Sequence, residues 1–239
     1  MLSKTKPTLN QKALAVALDT GDNQLVYYYQ GKFGTNSIDS VGEFEPFVWG
    51  DAVTYVCGKR GSGKSTWCSM YIKNYVSATD NKVFFFSRFE DDPSITLPAR
   101  SMRIPLDQLE EIELDDLRDS LVVFDDITNS TLSKKQMTFL HNFLLDLIEN
   151  SRHMNINILM TSHLCSSYGK TRSILNESSA LCIFPQYSNR YFIEACLKTY
   201  YGLSKPQIEH VLENQSRWVE VNTINPKFIL DQHKIEIYS

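Results

Sequence analysis

The stretch YVCGKRGSGKSTW, residues 55–67, decides how the rest of this 239-residue chain is read. An apolar run stops at Gly58, Gly61 and Gly63 follow, and Lys64, Ser65 and Thr66 come directly behind. Only ten glycines occur in the whole chain, so three within six positions mark a local demand on the backbone. Glycine lets the chain curl until successive N–H groups point at one centre, and a helix opening behind the curl adds the positive end of its dipole. The segment GKRGSGKS fits G-x-x-x-x-G-K-[ST] at every fixed position, with Gly58, Gly63, Lys64 and Ser65 as the defining residues. The predicted ligand is a nucleoside triphosphate, ATP, cradled by Gly58, Lys59, Arg60, Gly61, Ser62, Gly63, Lys64, Ser65 and Thr66. Lys64 reaches its β- and γ-phosphates, and Ser65 offers a hydroxyl to Mg²⁺.

Such a loop needs an apolar strand before it and a helix after it. AVTYVCG and KSTWCSMYIKNYVSA supply them, and KVFFFS then reads as a second strand. Strand, helix, strand predicts a parallel sheet. Beyond a polar segment marked by Pro93, Pro98 and Pro105, SLVVFDD is a further apolar strand ending in two carboxylates. Asp125 is assigned to magnesium and Asp126 to the attacking water. Helix capping would account for one aspartate, but not for four apolar residues leading into two.

Met137, Leu140, Phe143, Leu144, Leu147 and Ile148 recur at helical spacing. NINILMTSH is a strand with a polar tip, Thr161, Ser162 and His163. In an ATPase with an inserted central strand, that tip carries the γ-phosphate sensor, here His163. SALCIFP is the next strand, and RYFIEACLKTYYG and KPQIEHVLEN read as helices. RWVEV and KFILDQHKIEIY alternate like edge strands. Upstream, residues 1–12 read as a loose polar tail, and ALAVAL and QLVYYY as short strands. The expected organisation is an N-terminal extension over residues 1–50 and a nucleotide-binding domain over residues 51–239.

Composition narrows the class. Net charge is −4, with 42% hydrophobic and 22% charged residues, as in an ordinary soluble globular chain rather than a strongly basic nucleic-acid binder. No apolar run approaches the ~18 residues of a membrane span, and MLSKTKPTLNQ lacks the apolar core of a secretory signal. Cys57, Cys68, Cys165, Cys182 and Cys196 show no zinc-ligand spacing and read as buried thiols of a reducing compartment.

GKRGSGKST, LVVFDDI and LIENSRHMNINILMTSH, in that order and spacing, resemble the poxvirus-type genome-packaging ATPases of large DNA viruses and virophages. These belong to the FtsK–HerA group of additional-strand P-loop ATPases, and the likeness spans about residues 50–190. It implies an α/β fold with a RecA-like P-loop core, a mainly parallel sheet flanked by helices, to which the strand-like runs before residue 50 and after residue 215 add short β extensions at both ends. It also implies a homo-oligomeric ring, a pentamer or hexamer, that docks on a capsid vertex protein and drives double-stranded DNA into a preformed shell. The place of work would be virus assembly sites in the host-cell cytoplasm, or the virion. The resemblance maps Lys64 and Ser65 to nucleotide, Asp125 to magnesium, Asp126 to the base and His163 to the sensor. His163 departs from the Gln or Asn usual there, and Asp126 stands where FtsK and HerA carry Glu.

A ring ATPase uses an arginine from the neighbouring subunit to offset charge at the γ-phosphate. Arg172, Arg152 and Arg190 are the candidates. The basic loops expected to face DNA hold Lys170 and Arg172 in SSYGKTR, and Lys134 and Lys135 in TNSTLSKKQ. Two other classes fit a phosphate loop: a nucleoside or nucleotide kinase, and a virion assembly protein that binds nucleotide without motor activity. Against a kinase stand the absence of an arginine-rich lid and the paired acids, which serve to activate water.

Overall fold

The computed structural model describes residues 2–3, 13–18, 23–28, 37–39, 42–46, 52–88, 95–126, 132–165, 171–223 and 226–238. In chain order the elements are β1 (Leu2–Ser3), β2 (Ala13–Leu18), β3 (Asn23–Tyr28), β4 (Ser37–Asp39), β5 (Glu43–Pro46), β6 (Val53–Cys57) and α1 (Lys64–Ala78). Next come β7 (Lys82–Ser87), β8 (Ser101–Pro105), β9 (Ser120–Phe124), α2 (Lys134–Met154), β10 (Ile156–Ser162), α3 (Arg172–Glu177) and β11 (Ala180–Ile183). The chain finishes with α4 (Arg190–Tyr200), α5 (Lys205–Leu212), β12 (Val219–Asn222), β13 (Phe228–Asp231) and β14 (Lys234–Ile237).

Ten strands form one sheet in the order β4-β14-β13-β12-β11-β6-β10-β9-β7-β8. From β11 to β8 every neighbouring pair is parallel, whereas β12, β13, β14 and β4 extend it antiparallel. The fold is therefore the α/β sheet expected, and β10 is the inserted strand between β6 and β9. Register aligns the strand ends: Ile183 and Ser162 flank Cys57, and Met160 faces Phe124. One edge of the sheet thus presents the residues that follow β11, β6, β10 and β9 side by side.

Alternation along the strands divides the core between two faces. Tyr55, Val122, Phe124, Ile158 and Met160 pack with Leu140, Phe143, Leu144 and Leu147 of α2. Val56, Val83, Phe85, Leu121, Val123 and Leu159 pack with Trp67, Cys68, Tyr71 and Ile72 of α1. Ala15, Ala17, Val26 and Phe44 of the N-terminal strands join this second group, and the Asn74 amide donates to Pro46 O at 3.1 Å. α1 therefore packs against both the large sheet and the small β1-β3-β2-β5 sheet, which is why it buries Trp67, Tyr71, Asn74 and Tyr75 around more than one face. All five cysteines are free and buried, and among the described residues no helix is long and apolar enough to cross a membrane.

Several expectations are corrected. Leu2 and Ser3, read as tail, pair with Tyr28 and Tyr27. Arg172 opens a helix instead of standing in a loop. Ser101–Pro105 is a strand beside β7, with Pro105 tolerated because β8 lies at the sheet's edge. The segments read as edge strands are interior, because β4 covers β14.

Interior placement of β12 has a cost at Glu220, which is fully buried opposite Cys182. Burial pushes its carboxyl up to about 8, with Asn222 pulling the other way. The folded carboxyl keeps its proton to about 8, whereas the unfolded one loses it near 4.5, so stability falls as pH rises through that window. Glu220→Gln is expected to raise the thermal midpoint relative to the parent, with a gain that grows between those two pH values; a gain that does not change with pH would count against a buried neutral acid.

Candidate functional site

The loop after β6 begins as a continuation of the sheet, since Gly58 N–H donates to Ser162 O at 3.1 Å. It then turns back on itself, with Ser62 N–H bonded to Lys59 O and Trp67 N–H to Gly63 O. Gly61 and Gly63 have φ of +78° and +116°, left-handed values that side chains resist. Gly58 is required for space instead: a Cβ there would lie 2.6 Å from Ser62 Oγ and 2.7 Å from Phe184 Cδ2. α1 starts at Lys64 with no side-chain cap, so the first N–H groups of the helix remain directed into the loop. Lys59, Arg60, Gly61 and Thr66 are exposed, whereas Ser62 is buried and Ser65 partly so.

Lys64 folds over this loop. Its ammonium donates to Gly58 O at 2.8 Å and Lys59 O at 3.4 Å, and meets His163 Nδ1 at 3.3 Å. His163 in turn places Nε2 3.0 Å from Asp126 Oδ2. An ammonium has only protons to give, so Nδ1 accepts and Nε2 carries the proton donated to Asp126. Burial pushes the Lys64 ammonium down, while the carboxylates of Asp126 and Asp125 act in the opposite direction.

The acids are fixed by the neighbouring strand tip. Thr161 Oγ1 donates to Asp125 Oδ1 at 2.7 Å and accepts from Asp126 N–H at 2.8 Å, so one hydroxyl holds the carboxylate of the first acid and the backbone of the second. Asp126 has φ of +52°, a backbone turn that carries the second acid away from the strand line and toward His163. Tyr55 O–H donates to Leu164 O at 2.8 Å and Leu164 N–H to Ser162 Oγ at 3.0 Å, which steadies the chain on the far side of His163. Among the described residues, Asp126 Oδ1 is buried without a hydrogen-bond partner.

A divalent cation is implied by a phosphate loop, and the donors present suit a hard one. Ser65 and Asp125 offer oxygen only, as Mg²⁺ requires when phosphate and water fill its other positions. Among the described residues no group of three or more His, Cys, Asp or Glu could hold a metal alone.

The expected arginines are dispersed. Arg152 stands in the last turn of α2, where its charge suits the helix dipole. That turn leads into the start of β10, so it lies at the opposite edge of the sheet, roughly 20 Å along a strand. Arg172 opens α3 and Arg190 opens α4, both exposed. Lys134 and Lys135 are the first two residues of α2 and are exposed; Lys170 lies outside the described residues.

Arg217 is the residue that spacing rules miss. Its Nε donates to Ser62 O at 3.0 Å and its Nη2 lies 3.5 Å from Gly61 O. Holding those carbonyls outward leaves the N–H groups of the loop facing in. Gly63 accommodates it, since a Cβ there would lie 2.9 Å from Arg217 Nε. No motif announces this arginine, because its partner carbonyls are 155 and 156 residues away in sequence.

No model of a known protein family matches the chain. It is 40% identical over 183 residues to the uncharacterized protein V3 of the Sputnik virophage, an alignment covering 74% of this chain and 73% of that protein. Among solved structures, B204, the DNA-packaging ATPase of Sulfolobus turreted icosahedral virus, gives a TM-score of 0.54 at 12% identity, over 77% of this chain and 97% of that one. The genome packaging NTPase B204 of Sulfolobus turreted icosahedral virus 2, in complex with ATP-gammaS, gives 0.54 at 11% identity over 77% and 96%. At such identities the likeness is one of fold.

The contact between Gly58 and Phe184 yields a test of the loop's packing. Gly58→Ala is expected to cost about 1–3 kcal/mol in urea unfolding by overpacking. Phe184→Leu should recover part of that loss in the double variant, and strictly additive losses would mean that the two positions do not touch.

Proposed function

This chain belongs to the family of protein V3 of the Sputnik virophage, and on that footing we propose that it is a viral genome-packaging motor, an ATPase that moves double-stranded DNA into a preformed capsid. The observation that carries the reading is the meeting of Lys64, His163 and Asp126 at the ends of three adjacent strands. The fold shared with packaging NTPases supports it, and the poxvirus-type branch rests on the sequence resemblance.

In this reading the loop N–H groups and Lys64 bind the β- and γ-phosphates. Ser65 and Asp125 are the donors that would hold Mg²⁺, whose charge offsets that of the phosphate oxygens. Asp126 accepts the proton of a water attacking the γ-phosphorus; the bond from that phosphorus to the β–γ bridging oxygen breaks, leaving ADP and phosphate. His163, donating from Nε2, fixes the Asp126 carboxylate. When Lys64 turns from Gly58 O and His163 Nδ1 to the triphosphate, the imidazole loses one partner, so nucleotide arrival is felt at the base. That is a sensor's role.

Lys134 and Lys135 fit DNA contact for a physical reason: two cations at a helix N-terminus oppose its dipole, so helix stability does not account for them. Repeated around a ring, with Lys170, they would supply the sequence-independent, salt-sensitive attraction a motor needs. Arg172 or Arg152 of a neighbouring subunit would complete the site, and a capsid vertex protein would anchor the ring at virus assembly sites in the host cell.

Purified protein is expected to hydrolyse ATP, faster with double-stranded DNA. Lys64→Ala should abolish turnover, and Asp126→Asn should lower kcat by about 10²–10⁴-fold. Transfer of phosphate to a small acceptor, or hydrolysis indifferent to Asp126→Asn, would sink the proposal. Exchanging Lys134 and Lys135 for Glu should remove the DNA stimulation and leave basal hydrolysis in place; unchanged stimulation would exclude these lysines as the contact.

A further inference from the structure

The acids, His163 and Thr161 all stand on the β10–β9 side of β6, while β11 and β12 stand on the other. A triphosphate whose γ end points at Asp126 must therefore send its remaining length across the β11 side of the loop. The surface there is built around Tyr187 and Arg217. Tyr187 closes the short 3₁₀ turn Pro185–Tyr187 after β11, and the residue is 46% exposed. The Arg217 guanidinium lies 5.6 Å from the ring centroid, while its Nε holds Ser62 O of the phosphate loop. One side chain thus links an open aromatic face to the anion cradle.

Both members are held from behind. Phe184, buried at the start of the turn, packs against Gly58 and Gly63, and Tyr187 N–H donates to Phe184 O. Gln186 donates to Asn214 O at 2.9 Å, tying this turn to the one that carries Arg217. That second turn is fastened to the sheet: Asn214 and Ser216 both donate to the buried Asp231 carboxylate, and Arg217 N–H donates to Gln232 Oε1 at 2.7 Å. Gln186, Asn214 and Ser216 are therefore already engaged, and what they leave to offer a ligand is a flat, rigid π face backed by a cation.

We infer that Tyr187 and Arg217 form the platform on which the nucleobase of the bound triphosphate stacks, an inference that rests on the nucleotide reading of the same loop. Stacking on an aromatic or guanidinium plane needs no hydrogen-bond pattern, which suits a surface whose amides are already paired. Arg217 then serves twice, turning the Gly61 and Ser62 carbonyls out of the cradle and ending the platform at the edge of the loop.

Calorimetric titration in magnesium buffer, with ATP and with inorganic tripolyphosphate as the two probes, tests it. Tyr187→Ala is expected to weaken ATP binding about tenfold, leave tripolyphosphate binding unchanged and, because the residue is half exposed, unfold at the parent's temperature. Tyr187→Phe should bind ATP as the parent does. Lys64→Ala should weaken both probes, which reports on the cradle independently of the platform. Parent protein that binds both probes, with Tyr187→Ala losing neither or losing both equally, would overturn the platform and leave the nucleotide reading standing. Parent protein that binds neither probe would overturn both.

Discussion

The imidazole of His163 is the interaction on which the rest of this structure depends. With Nδ1 against the Lys64 ammonium and Nε2 against the Asp126 carboxylate, it joins a loop that follows β6 to an acid that follows β9. Neither group could be reached from one strand alone. The parallel register of β6, β10 and β9 brings the three ends to a common edge, and the inserted position of β10 puts the histidine between its two partners. His163 and Asp126 remain about a third exposed, so this junction is open to solvent.

Around it, two further devices constrain the site. Thr161 places one hydroxyl between both aspartates, which fixes the first acid through its side chain and the second through its backbone. Arg217 acts on the opposite flank, drawing Ser62 O outward. The cradle is thus shaped from both sides by groups outside the loop. The loop's own glycines permit the conformation; they do not by themselves select it.

The phosphate loop was legible in the sequence because its requirements are local: positive φ at Gly61 and Gly63 and close approach at Gly58 leave few alternatives to glycine. The strands from β6 to β11 were legible because burial on both faces produces continuous apolar runs. Asp125, Asp126 and His163 could be picked out as strand ends because each stands just past a continuous apolar run. What alternation does not encode is how many neighbours a strand has, so VEVN at β12 read as an edge while Glu220 is buried within the sheet. Arg217 escaped for a similar reason, because its importance lies in a contact between distant segments. Arg172 gives no helical signal in the sequence, because the six residues of α3 are too short a helix to show periodicity.

One imidazole bridges the lysine of the phosphate loop and the second acid. Nitrogen NMR of the histidine side chains in the free protein at neutral pH tests it most directly. His163 is expected as a single tautomer with the proton on Nε2, a signature lost in both Lys64→Met and Asp126→Asn. A His163 that averages freely between tautomers, or that is unmoved by either substitution, would contradict it.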